Sequence, residues 1–159
     1  MARRENEVQA SEDHVVLAET RQSGLCADTI ILTMDGELRA CDVAPGDRII
    51  TRDAGMAVLR GVRRKRVMCE GVQIKAGSLG HTRPPADMLL PCGTQILIRD
   101  WRAKALYASA QKLVPAVDLL DGEFVTLVPE QELEIVEFIF DTPHVIYAGG
   151  LEIGCQTLS

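Results

Sequence analysis

Short apolar runs of roughly four to seven residues recur along the chain, with turn residues between them. Residues 29–33 are rich in β-branched side chains and end at Asp35-Gly36, a hairpin signal. Residues 48–51 lie between Pro45-Gly46-Asp47 and Asp53-Ala54-Gly55. Apolar and polar positions alternate in parts of 58–67 and again over 71–75. Further runs fall at 95–98, 123–127, 134–140 and 145–147, and 14–18 reads as a first strand or a short helix. This spacing predicts an all-β sandwich or barrel of many short strands. One segment reads as helix, 108–114, ended by Pro115, and Pro84-Pro85-Ala86-Asp87 reads as a second short helical turn. Residues 1–13 are charged and unpatterned and read as a flexible tail, leaving 14–159 as a single domain with no repeat and no linker.

Composition narrows the picture. Apolar residues make up 47%, enough for a real core, but aromatics only 4%, so that core is built from Val, Ile, Leu and Ala. The net charge of -6 argues against nucleic-acid binding as the main function, because phosphate neutralisation needs a positive surface. No apolar run approaches a membrane span, and Arg3 and Arg4 are not followed by the apolar stretch of a secretory signal. The expected setting is therefore cytoplasmic. The cysteines Cys26, Cys41, Cys69, Cys92 and Cys155 are odd in number and scattered, which predicts free thiols in a reducing compartment. With no Cys-x-x-Cys pair and three histidines, no metal site is expected, nor any cofactor.

Four motifs occur in order over most of the chain. The first is Gly24-Leu25-Cys26-Ala27-Asp28-Thr29-Ile30-Ile31-Leu32-Thr33-Met34-Asp35-Gly36. The second is Val43-Ala44-Pro45-Gly46-Asp47-Arg48-Ile49-Ile50-Thr51-Arg52-Asp53. The third joins Ile74-Lys75-Ala76-Gly77-Ser78-Leu79-Gly80 to Asp87-Met88-Leu89-Leu90-Pro91-Cys92-Gly93-Thr94. The last runs from Phe140-Asp141-Thr142-Pro143-His144 to Leu151. Together they resemble bacterial Hint (hedgehog/intein-like) domains, and Gly46-Asp47 and Ala76-Gly77 carry most of the likeness. The shared positions are mainly turn glycines and β-branched residues, which specify a fold rather than a reaction.

What the resemblance implies chemically is self-processing. A Cys or Ser at the first residue of the domain takes the upstream acyl group, and a histidine in the middle motif assists at the scissile amide. Here those positions hold Gly24 and Thr94, and the late-motif histidine position holds Pro143. Glycine has no nucleophile, and a threonine hydroxyl does not titrate near neutral pH. The resemblance thus points to a degenerate domain without autoprocessing, a pseudoenzyme serving as a binding or assembly module. The alternative is a single-turnover self-cleaving domain working by an N-to-S or N-to-O acyl shift at Cys26 or Ser23, with His144 beside it. On the plainer reading Cys26 is a small buried residue, His144 a surface turn residue and His81 part of a loop. Splicing is not expected: the chain has one Asn, Asn6, and closes on Thr157-Leu158-Ser159 rather than the Asn and nucleophile of an intein end.

Two charged stretches complete the sequence picture. Arg60, Arg63, Arg64, Lys65 and Arg66 form a basic run in an acidic chain, read as a solvated hairpin edge that discourages aggregation, with polyanion binding as the alternative. Glu130, Glu132 and Glu134 read as a solvated loop leading into a strand at Ile135. The expected partner is an unknown protein or a second copy of the chain, not a membrane.

Overall fold

The computed structural model describes residues 21–80 and 82–155. The tail expected over 1–13, the element expected at 14–18, His81 and the last four residues lie outside that range.

Two tight hairpins begin the fold after a two-residue strand, β1 (Leu25–Cys26). In the first, β2 (Ile30–Thr33) turns at Asp35 into β3 (Gly36–Arg39). In the second, β4 (Arg48–Thr51) turns into β5 (Gly55–Val58). Each turn is closed by a buried threonine at the end of its first strand. The Thr33 hydroxyl donates to the Gly36 carbonyl at 2.7 Å and accepts from the Asp35 N–H at 3.1 Å. The Thr51 hydroxyl accepts from the Ala54 N–H at 3.0 Å. Burying these hydroxyls is tolerable because each has a backbone partner.

A long antiparallel ribbon follows, made of β6 (Gly61–Ile74) and β10 (Val125–Ile139). Their register runs from Ile74 opposite Val125 to Gly61 opposite Ile139, with one irregularity between Val128 and Gln131. Such a bulge accommodates Pro129, which has no N–H to give the ladder. The chain between the two ribbon strands supplies β7 (Met88–Pro91), β8 (Gln95–Ile98), α1 (Trp101–Tyr107) and β9 (Lys112–Pro115). A last hairpin, β11 (His144–Ala148) and β12 (Leu151–Cys155), ends the described chain.

The strands form two sheets. One has the order β1-β10-β6-β7; the other runs β3-β2-β4-β11-β12-β8-β9, with β5 added beside β4. The main core lies where they meet: Leu25, Ile31, Ile49, Ile74, Val136, Ile146 and Ile153 are all essentially inaccessible. Ile135 and Val136 are adjacent and both buried, so β10 is covered on both faces. Val136 joins the main core, and Ile135 packs with Leu133 and Cys69 in a second cluster flanked by Cys26, Val67 and Leu89.

The all-β expectation holds, but several local readings are corrected. Residues 108–114 are not a helix. The helix is α1, started by Asp100, whose carboxylate accepts from the Arg102 N–H, and ended by Ala108 in the left-handed conformation. Residues 112–115 are strand instead, and Pro115 tolerates that position because β9 is an edge. Pro84-Pro85-Ala86-Asp87 forms no helix; the Arg83–Pro84 bond is cis and the segment is a bend. The separate strands read over 58–67 and 71–75 are mostly one strand, β6, and those at 123–127 and 134–140 join through the acidic residues into β10. Glu132 and Glu134 therefore belong to a strand and not a loop, alternating outward with Leu133 and Ile135 inward.

Replacing Ile135 by Ala is expected to cost about 2–5 kcal/mol in urea unfolding, because it opens a cavity between two packed faces. Met68→Ala, on the exposed side of the same ribbon, is expected to stay within about 0.5 kcal/mol.

Candidate functional site

Gly24 enters the fold immediately before β1 and runs against β10. Its φ of +127° is a conformation that L side chains rarely adopt. A Cβ there would lie 2.8 Å from the Ile135 Cγ2 and 2.9 Å from the Val136 carbonyl oxygen. The position thus lacks a nucleophile and has no room for one without displacing a backbone.

Thr94 meets Gly24 from the other side. It follows the turn after β7, is 1% exposed, and lies 70 residues from Gly24 in sequence. Its hydroxyl donates to the Gly24 carbonyl at 2.7 Å and accepts from the Gly24 N–H at 3.2 Å. A hydroxyl has one proton, and here it is aimed at the Gly24 carbonyl. Towards the amide nitrogen of the Ser23–Gly24 bond, Thr94 is therefore an acceptor. It cannot protonate that nitrogen as a leaving group, the work an acid at this place would have to do.

An open cleft of about 340 Å³ lies beside this contact. Ser23, Gly24, Gln95, Glu137, Phe138 and Cys155 are among its lining, with Arg63 at one side. No histidine lines it among the described residues. The upstream chain is also held here: the Gly93 N–H donates to the Gln22 carbonyl at 2.7 Å, and a Cβ at Gly93 would lie 2.7 Å from that oxygen. Glycine at 93 is what permits this approach.

The other sequence-derived candidates fall elsewhere. Cys26 faces a second groove, lined also by Ile30, Met88, Leu89 and Tyr147. Burial pushes its thiol up to about 11, with Cys69 and Asp28 adding in the same direction. Cys155 does line the Gly24 cleft, but burial pushes its thiol up to about 12. Near neutral pH Cys26 is therefore held as the thiol, the less nucleophilic form.

His144 is not the surface turn residue read from the sequence. It opens β11 and its side chain is 13% exposed, stacked edge-on against Phe140. Its Nδ1 lies 2.8 Å from the Asp53 carboxylate, which also accepts from the Val145 N–H at 2.9 Å, and its Nε2 lies 3.2 Å from the Thr142 hydroxyl. This arrangement ties β11 to the end of β4. Neither Pro143 nor His144 lines the cleft at Gly24. Partial burial raises the Asp53 carboxyl, but the hydrogen bonds from Val145 and His144 outweigh it and hold the group below its ordinary value.

The basic run is matched across the ribbon. Arg63 and Lys65 lie 3.6 and 3.5 Å from Glu137, Arg66 reaches Glu132 and Glu134 at 3.9 and 3.8 Å, and Arg60 pairs with Asp141 at 3.0 Å. Arg64 donates to the Val43 carbonyl. The two charged stretches, separate in the sequence, face each other as cross-strand neighbours.

Comparison with known proteins bears on the same residues. A family model described as "Hint domain" matches residues 23–155. No curated protein sequence matches the chain. Among solved structures, the chain is similar to a bacterial intein-like domain from Clostridium thermocellum, at 15% identity and a TM-score of 0.62, covering 86% of this chain and 99% of that one. It is also similar to a DnaB intein from Synechocystis sp. PCC 6803, at 12% identity and a TM-score of 0.56, covering 85% and 99%. At these identities the likeness is one of fold.

Two outcomes follow from the geometry. Thr94→Val is expected to lose about 1–3 kcal/mol of stability, because both Gly24 backbone groups are left unpaired, while Thr94→Ser retains most of it. For Asp53, whose folded carboxyl is held low, the stability it adds is present above the ordinary carboxylate range. It is lost as pH falls through the lowered value, so Asp53→Asn should flatten the acid limb of a pH–stability curve measured by thermal unfolding.

Proposed function

Since the chain belongs to the Hint domain family, we propose that it is a member that does not process its own backbone and acts as a binding or assembly module. One observation carries this reading. The hydroxyl of Thr94 is spent on the Gly24 carbonyl and amide, at a position where neighbouring backbone excludes any side chain. The family mechanism needs a nucleophile and a proton donor at that contact, and this chain offers a closed hydrogen-bonded pair in their place. The cleft beside it is kept, lined by the Glu137–Ile139 segment of β10 and by Ile153, Gly154 and Cys155. The occupant of this reading is a partner protein segment or a second copy of the chain.

A second reading rests on a different observation, the Gly93 N–H on the Gln22 carbonyl. That donor polarises the carbonyl one residue before Ser23, whose side chain lines the same cleft. In an N-to-O shift the Ser23 hydroxyl oxygen would bond to the Gln22 carbonyl carbon. The Gln22–Ser23 amide bond would break, and the hydroxyl proton would pass to the freed Ser23 nitrogen. The carboxylate that lines the cleft, Glu137, is paired with Arg63 and Lys65, which weakens it as a base for that step.

The two are separated by fusing a reporter ahead of the chain and incubating at pH 8 with dithiothreitol or hydroxylamine. The expected result is an intact fusion mass in both. Release by hydroxylamine that disappears in Ser23→Ala, or by dithiothreitol that disappears in Cys26→Ala, would overturn the non-processing reading. Sedimentation across a concentration series tests self-association directly.

A further inference from the structure

Glu152 stands in β12 with 3% of its surface exposed, and three arginines converge on it. Arg99, just past β8, places Nε 2.6 Å from one carboxylate oxygen, and Arg83, in the loop before β7, places an Nη 3.4 Å from the same oxygen. Arg52, just past β4, lies 3.5 Å from the other oxygen. One well-placed guanidinium is enough to neutralise a buried carboxylate. Three leave two positive charges in excess, and they repel one another at close range. The Nε of Arg83 is buried and has no hydrogen-bond acceptor.

Arg52 and Arg99 are each about a third exposed, and the cluster meets an open cleft through Arg52. Arg52 reaches from Glu152 to the Gln111 side chain, 3.2 Å away, and lines an open cleft of about 570 Å³ with Leu97, Lys112 and Leu113. Asp53 is also on its rim and keeps its negative charge there, with one oxygen accepting from the Val145 N–H and the other 2.8 Å from the His144 Nδ1. Lys112 places its Nζ 5.8 Å from the centre of the Tyr107 ring, and no ion pair to it is found among the described residues. None of these residues lines the cleft at Gly24.

We propose that this cleft binds a small oxyanion of two negative charges, a phosphoryl- or sulfate-type group, held by Arg52 and Lys112 with the field of Arg83 and Arg99 behind it. The planar guanidinium of Arg52 offers paired N–H donors suited to adjacent oxygens of such a group, and Lys112 adds a point charge. Arg52, Arg83, Arg99 and Lys112 face Glu152 and Asp53, so four positive charges meet two negative ones; a dianion would balance the difference, whereas chloride or nitrate would balance only half.

The test is calorimetric titration of the full chain with inorganic phosphate and with sulfate, at an ionic strength fixed with sodium chloride. Saturable binding is expected, with a thermal midpoint raised about 4 °C at tenfold excess over the dissociation constant. Nitrate and acetate at the same ionic strength should leave the midpoint unmoved. Arg52→Gln should abolish binding, with circular dichroism reporting the fold. If that variant does not fold, Lys112→Gln on the exposed edge strand decides, with affinity expected to fall about threefold. Amide shifts on phosphate addition should centre on Leu113 and Val145. Equal effects of nitrate, undiminished binding in Lys112→Gln, or no saturable phosphate binding would overturn the proposal.

Discussion

The antiparallel pairing of β6 with β10 is the interaction on which the rest of this fold depends. It spans the chain from Gly61 opposite Ile139 to Ile74 opposite Val125, and everything between the two strands is folded around it. The ribbon presents Val136 and Phe138 to the main core and Ile135 and Leu133 to the opposite face. It also brings the basic residues of β6 against the acidic residues of β10. Exposed pairs of this kind contribute little individually, but they oppose a slip of register that would set like charges side by side.

The candidate site is a consequence of the same ribbon. Gly24 lies so close to Ile135 and Val136 that only glycine fits, and Thr94 is brought to it across 70 residues by the strand that follows β7. The buried threonines share one use: Thr33 and Thr51 satisfy their hydroxyls on turns, and Thr94 satisfies its own on the entering chain. A hydroxyl held so tightly is structural cement rather than a proton carrier. The contact thus joins the entering chain to the turn after β7 through a hydroxyl and two backbone groups.

How much was legible in advance follows from the range of each signal. The turn residues Asp35-Gly36 and Pro45-Gly46 act through local backbone geometry, so the first hairpin, the strand at 48–51 and the all-β class could be read directly, while β5 was not. The motifs surrounding Gly24 and Thr94 could be aligned with a family because they sit at fixed offsets from those turns. The helix was misplaced because Pro115 reads as a helix stop for residues 108–114, while the cap that starts the true helix, Asp100, acts through a side-chain bond to the Arg102 N–H.

By itself the sequence determined which elements are available: short β-branched strands, the turns between them, and a glycine at 24 and a threonine at 94. Tertiary structure alone decided how those elements combine. It merged four apparent strands into one ribbon, turned an acidic loop into the partner of a basic strand, and set the half-buried His144 against Asp53. It also gathered Arg52, Arg83 and Arg99 onto Glu152 from four separate segments. The physical reason is that charge pairing and close packing act through space. Residues as much as 100 positions apart reach bonding distance only once hydrophobic burial has set the register of the sheets.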